Sequence, residues 1–145
     1  MFKFNPKLYL YFIPTYFLVV LVCYFFIVLF GANLIENIEE TFVLSCTLSS
    51  LLLIPLYFYC GVDALSLLIL REKPSTLLHS SILYVCFSSV IGAWFGAFVI
   101  PLDWDRKWQI WPVPCVIGSL VGFTLGHTYS FFKVFACILQ YEIKF

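Results

Sequence analysis

Every fourth residue is a glycine in the stretch Gly118-Ser119-Leu120-Val121-Gly122-Phe123-Thr124-Leu125-Gly126, and Gly92 and Gly96 have the same spacing earlier in the chain. Residues four apart lie on one face of a helix, and glycine has no Cβ, so two helix backbones can approach closely there. Two interpretations are open: the glycines pack two helices of this chain together, or they form a groove for another protein's transmembrane helix. The general frequency of small-residue contacts favours internal packing.

The composition around these glycines is that of an integral membrane protein. The sequence has 145 residues, of which 63% are hydrophobic and 11% are charged, and its mean hydropathy is +1.02. Soluble domains are about half apolar and about a quarter charged. The net charge is zero, so there is no basic field to attract a nucleic acid, and we expect no nucleic-acid partner.

Apolar runs long enough to cross a bilayer occur four times in the chain. They predict an all-α membrane protein, a single domain with a bundle of about four transmembrane helices at about 9–30, 41–60, 77–100 and 114–132. The first run is longer than the roughly 15 apolar residues of a signal-peptide core, so we expect it to be retained. Loops are expected at 31–40 and 101–113, a short interfacial helix is favoured at 62–70, and a polar tail is expected after 132.

Basic residues are distributed unequally between the two sides of the membrane. Four spans leave both termini on one side, whose segments contain six basic residues, whereas the other two loops contain two. The six are Lys3, Lys7, Arg71, Lys73, Lys133 and Lys144, and the two are Arg106 and Lys107. Because cytosolic segments carry the excess of Lys and Arg, we expect both termini in the cytosol and the two loops on the lumenal or exterior side.

The 101–113 loop combines aromatic and polar residues in a chain that is otherwise mostly apolar. Its three tryptophans favour anchoring at the level of the lipid headgroups. Its two aspartates are too few to hold a divalent ion, which normally takes six or more oxygen ligands. We therefore expect no metal and no cofactor. The residues concerned are Asp103, Trp104, Asp105, Arg106, Trp108, Gln109 and Trp111.

Motifs of soluble and membrane enzymes are missing from the sequence. There is no His-Glu-x-x-His zinc motif, no Gly-x-Ser-x-Gly nucleophile turn and no phosphate-binding glycine loop. An accessory role is therefore favoured over a catalytic one. An alternative of a different class is a small membrane enzyme that handles a phospho-headgroup through Asp103, Asp105 and Arg106 with a bound divalent ion.

Two single histidines lie in the apolar runs, His79 near the start of the third and His127 in the fourth. A lone histidine without a second ligand nearby is more often an interfacial polar residue than a metal ligand or proton relay. We interpret both in that way. A further alternative is a lipid-transport bundle in which Asp63 and His79 face a polar path.

The residues around the loop resemble a known family. The similarity lies in Gly92-Ala93-Trp94-Phe95-Gly96-Ala97, in Ile100-Pro101-Leu102-Asp103-Trp104-Asp105-Arg106-x-Trp108-Gln109-x-Trp111-Pro112, and in the glycines at 118, 122 and 126. In this order they closely resemble the Pig-F family of glycosylphosphatidylinositol (GPI) anchor biosynthesis, over roughly residues 30–132. Lys107 stands where the family is expected to have a proline, and we expect the family's usual N-terminal pair of spans to be missing from this sequence.

The resemblance implies a multi-pass protein of the endoplasmic reticulum membrane, surrounded by lipid. It implies association with the large ethanolamine-phosphate transferases that modify mannoses of the GPI-anchor precursor. The transferase is expected to carry the chemistry, and this chain to stabilise it as an accessory subunit. On this basis Asp103, Trp104, Asp105, Arg106, Trp108, Gln109 and Trp111 are candidates for partner recognition, and Gly92, Gly96, Gly118, Gly122 and Gly126 for helix packing.

Overall fold

The computed structural model describes residues 6–30, 37–60, 77–102 and 106–143. Four helices occupy nearly all of these ranges: α1 Pro6–Leu29, α2 Ile38–Cys60, α3 Leu77–Ala97 and α4 Val113–Ile143. The described ranges contain no β-strand. All four helices are long and apolar enough to cross a membrane, which confirms the predicted all-α membrane class. The interfacial helix predicted at 62–70 lies outside the described residues.

The chain divides into two compact units, Met1–Arg71 and Glu72–Phe145. In the first unit α1 and α2 are antiparallel neighbours. The Tyr16 hydroxyl lies 3.1 Å from Ser50 Oγ and donates to the Cys46 carbonyl oxygen at 3.3 Å, and the Phe12 ring packs edge-on against Tyr57 at 4.9 Å. Polar contacts of Tyr16 and an aromatic contact of Phe12 therefore help to pair the two helices.

The start of α2 lies within the predicted 31–40 loop. Asn37 precedes it with a φ of 81°, a conformation that asparagine tolerates better than most residues. The Asn37 carbonyl oxygen accepts from both the backbone N–H and the hydroxyl of Thr41, at 3.0 and 2.9 Å. Glu39 and Glu40 lie in the first turn, where carboxylates are stabilised by the helix dipole. Glu39 and Glu40, which fall within the predicted 31–40 loop, therefore belong to α2.

In the second unit α3 and α4 are antiparallel and touch backbone to backbone at the glycines. A Cβ on Gly92 would overlap the carbonyl oxygen of Gly118, and a Cβ on Gly118 would overlap that of Gly92. The other three make equivalent contacts: Gly96 against the carbonyl of Pro114, Gly122 against the carbonyl of Ser88, and Gly126 against the Ser88 side chain. The five glycines thus pack α3 against α4, as the internal-packing interpretation expects.

The end of α3 precedes the predicted boundary at residue 100. Pro101 has no N–H to donate and disfavours helical conformation in the residue before it. The N–H groups of Phe98 and Val99 instead bond to the carbonyl oxygens of Phe95 and Gly96, each at 3.2 Å, in a tightened final turn. The helix consequently stops at Ala97.

The fourth helix is longer than predicted. It contains 31 residues and ends at Ile143, so at 1.5 Å per residue it measures about 46 Å, against about 30 Å for a bilayer core. The Lys133 ammonium lies 4.6 Å from the centre of the Tyr84 ring, and the Ser130 hydroxyl donates to the Ser81 carbonyl oxygen at 2.9 Å. These contacts hold α4 beside α3 beyond the glycines, and the helix continues past the membrane span predicted at 114–132.

Replacing Gly122 with leucine is expected to break the contact between α3 and α4. The new side chain meets the backbone carbonyl of Ser88, which cannot rotate away, so the helices must separate. Overpacking costs about 1–3 kcal/mol where side chains can adjust, and we expect a loss of about 3 kcal/mol or more in the free energy of unfolding. Thermal unfolding of the purified chain in detergent, followed by tryptophan fluorescence, measures it.

The matched control is Val121→Leu, because Val121 is the neighbouring residue and is exposed. We expect it to change the free energy of unfolding by less than about 0.5 kcal/mol. Equal stability of the Gly122→Leu and Val121→Leu chains would contradict the backbone contact.

Candidate functional site

The candidate recognition loop joins α3 to α4 at one end of the second unit. Two short 3-10 helices form its described part, Ile100–Leu102 and Lys107–Gln109. Asp103, Trp104 and Asp105 lie outside the described residues. The backbone contact of Gly96 with Pro114 brings the two ends of the loop side by side, so the glycine packing determines where the loop begins and ends.

Gln109 connects the loop by hydrogen bonds to the segment that follows α3. Its side chain is only 8% exposed, and its Nε2 donates to the carbonyl oxygens of Val99 and Ile100 at 2.6 and 3.2 Å. The Gln109 backbone N–H donates to the Arg106 carbonyl oxygen at 2.9 Å. One amide therefore ties the second 3-10 helix to the first. Its Oε1 is buried and has no hydrogen-bond partner among the described residues.

The outer surface of the loop is cationic and apolar. Arg106, Lys107, Trp108 and Ile110 are exposed, whereas Trp111 is half-buried and Pro112 is buried. Arginine and tryptophan are the residues most enriched among those that dominate protein interfaces, and tryptophan also partitions to the headgroup layer. The described part of the loop is therefore suited to binding a protein or a membrane surface.

The described residues of this loop offer few groups for acid–base or nucleophilic chemistry. From Arg106 to Pro112 the chain has no carboxylate, imidazole or thiol. Within the described part of the whole chain, no three His, Cys, Asp or Glu residues lie together as a metal site would require. Asp63, which the lipid-transport alternative invoked, lies outside the described residues.

His127 lies within α4. It lies 14 residues after Val113 and 13 before Gln140, the ends of the apolar stretch of α4. Its interpretation as an interfacial polar residue stays a prediction. The side chain is exposed, and its ring packs edge-on against Phe123 at 4.5 Å.

Comparison with known proteins gives one consistent result. Residues 4–131 match the GPI biosynthesis protein family Pig-F. A mouse (Mus musculus) protein named "GPI ethanolamine phosphate transferase, stabilizing subunit" is 39% identical over 101 residues, which cover 68% of this chain and 46% of the mouse protein. The human protein of the same name is 38% identical over 101 residues, with the same two coverages. No solved structure matches the chain.

A fungal relative extends the comparison. "Glycosylphosphatidylinositol anchor biosynthesis protein 11" of Neurospora crassa is 38% identical over 103 residues, which cover 71% of this chain and 37% of the fungal protein. The chain thus spans less than half the length of these three relatives.

Replacing Gln109 with leucine is expected to loosen the loop while leaving the α3–α4 contact intact. Leucine has a similar volume but donates no hydrogen bond, so the carbonyl oxygens of Val99 and Ile100 lose the amide. A hydrogen bond contributes about 0.5–1.5 kcal/mol to stability. We expect hydrogen–deuterium exchange in the described residues 98–102 and 106–112 to be about two- to tenfold faster, since about 1.4 kcal/mol corresponds to a factor of ten.

The control for this measurement is Lys107→Ala, because Lys107 lies in the same 3-10 helix and is exposed. Its exchange rates should equal those of the unmodified chain. If Gln109→Leu also leaves the rates unchanged, the amide does not hold the loop.

Proposed function

The chain belongs to the GPI biosynthesis protein family Pig-F, and from this premise we propose that it is a non-catalytic subunit that stabilises a GPI ethanolamine phosphate transferase. The observation that carries the proposal is the match of residues 4–131 to the family, together with the names of the mouse and human relatives. The four apolar helices are consistent with a multi-pass membrane subunit. Because the chain spans less than half of those relatives, its partner and substrate pathway are part of the proposal.

The proposed location is the endoplasmic reticulum membrane, with both termini in the cytosol. In that topology the loop between α3 and α4 faces the lumen. The distribution of six basic residues against two supports this orientation. A lumenal loop with exposed Arg106 and Trp108 lies on the side where the family's transferases are expected to work on mannose residues of the anchor precursor.

Stabilisation by a subunit has a simple thermodynamic basis. A partner that binds the folded transferase and not the unfolded one lowers the free energy of the folded state by RT ln(1 + [L]/Kd). At a subunit concentration a hundred times the Kd this is about 2.7 kcal/mol. A loss of about 1–2 kcal/mol changes protein abundance in cells several-fold. The subunit needs no catalytic group to have this effect.

Deleting the gene for this chain is expected to lower the amount of the transferase several-fold. Transferase that lacks its subunit unfolds more often and is degraded. Quantitative immunoblotting of the transferases, together with mass analysis of ethanolamine phosphate on the anchor precursors, measures the loss. Re-expression of the chain should restore both.

Two results would overturn this proposal. The first is normal transferase abundance together with normal ethanolamine-phosphate addition in the deletion strain. The second is transfer or hydrolysis of phosphoethanolamine by the purified chain alone, abolished by Asp103→Asn, which is what a catalytic role of Asp103, Asp105 and Arg106 requires.

Truncating the exposed loop residues tests whether the loop contacts the transferase. We expect Arg106→Ala combined with Trp108→Ala to lower recovery of the transferase on affinity purification about thirtyfold, since residues that dominate interfaces contribute about 2 kcal/mol or more. Both side chains are exposed, so the abundance of the chain itself should not change. Ile110→Ala, which removes another exposed side chain, is the control, and equal recovery with all these variants would exclude the loop as a contact.

A further inference from the structure

The first unit has an apolar groove where α1 finishes and α2 begins. Its volume of about 370 Å³ lies within the roughly 300–1,000 Å³ of small-molecule sites in proteins. Val20, at the bottom of the groove, is only 3% exposed. Both helices contribute to this α1–α2 groove, which is lined by Val20, Leu21, Tyr24, Ile38, Glu39 and Phe42.

The α1–α2 groove extends from the charged end of the helix pair toward the membrane interior. Glu39 is the second residue of α2, and it is exposed. A carboxylate is costly in lipid hydrocarbon, so Glu39 lies at the level of the lipid headgroups. Tyr24 and Val20 are about 6 Å apart along α1, and Val20 is the one farther from the end of that helix. The groove therefore runs from the headgroup layer into the acyl-chain layer.

Glu39 has no basic residue near it in the α1–α2 pair. Lys7 is the only basic residue of the two helices. It lies in the first turn of α1, and Tyr24 follows it 17 residues later, so the two are about 26 Å apart along the helix. The wall of the groove is apolar. A negative charge at the mouth and an apolar wall below it complement an amphiphile with a cationic head.

We propose that the α1–α2 groove binds a phospholipid with an ammonium headgroup. One acyl chain lies along Val20, Leu21 and Phe42, and the ammonium faces the Glu39 carboxylate. The bilayer supplies acyl chains to any groove that faces it, so the carboxylate gives this site its selectivity. A primary ammonium pairs with that charge and also donates hydrogen bonds to it. The inference goes beyond the proposed function and does not rest on it, because it concerns lipid and this chain alone.

The test uses the full chain in vesicles of equal parts phosphatidylethanolamine and phosphatidylglycerol. A photoreactive group is placed in the acyl chain of one lipid or the other, and the labelled segments are identified by mass spectrometry. Phosphatidylethanolamine should label residues 20–24 and 38–42 about two- to fivefold more than phosphatidylglycerol, the range for an exposed ion pair. Glu39→Gln should remove this preference.

The matched control is Glu40→Gln, because Glu40 lies in the same turn of α2 but does not line the groove. It removes the same charge from the same end of the helix, so a general electrostatic effect on the lipids would respond equally to both variants. We expect Glu40→Gln to keep the preference. Leu21→Trp, which enlarges an exposed lining residue, should lower the labelling of both segments by both lipids.

Three results would overturn the proposal. The first is equal labelling of the unmodified chain by the two lipids. The second is an equal effect of Glu39→Gln and Glu40→Gln. The third is labelling spread evenly over the four described helices, which is the pattern of unselective lipid contact. Transferase abundance in the deletion strain is a separate measurement, so the proposed function can stand when this site fails.

Discussion

The structure of the second unit depends on the direct contact of two helix backbones at Gly92 and Gly118. Between membrane helices there is little hydrophobic drive for association, because lipid is as apolar as leucine, so close packing has to supply the attraction. Glycine makes that packing possible, since any Cβ at these positions would overlap a carbonyl oxygen of the facing helix. The same contact places Gly96 against Pro114 and so brings together the two ends of the loop between α3 and α4.

The glycine contacts determine the position of the loop between α3 and α4, and the hydrogen bonds of Gln109 stabilise its shape. A buried amide that bonds two carbonyl oxygens at 2.6 and 3.2 Å links the two 3-10 helices without any charge. The exposed Arg106 and Trp108 are thereby presented on a defined segment, which reduces the conformational entropy lost when a partner binds. This arrangement suits a subunit that recognises another protein at the membrane surface.

The two faces of α4 differ in their exposure. The glycine face is covered by α3. The opposite face is exposed and mostly apolar, and it contains His127. α4 measures about 46 Å, which exceeds the about 30 Å of a bilayer core. A single helix thus packs against α3 through its glycines on one side and is exposed on the other.

The sequence by itself determined the class of protein, the number of spans and the family, because composition, run length and an ordered motif are properties of the chain alone. It also identified the five glycines as a helix contact, but two interpretations were open, since a period of four does not tell which helix lies opposite. Only the tertiary structure decided that Gly92 meets Gly118, that Gln109 fastens the loop, and that His127 faces away from α3. Each of these facts depends on how separate elements pack against one another. The local sequence pattern of one element does not determine which residues of another element it contacts.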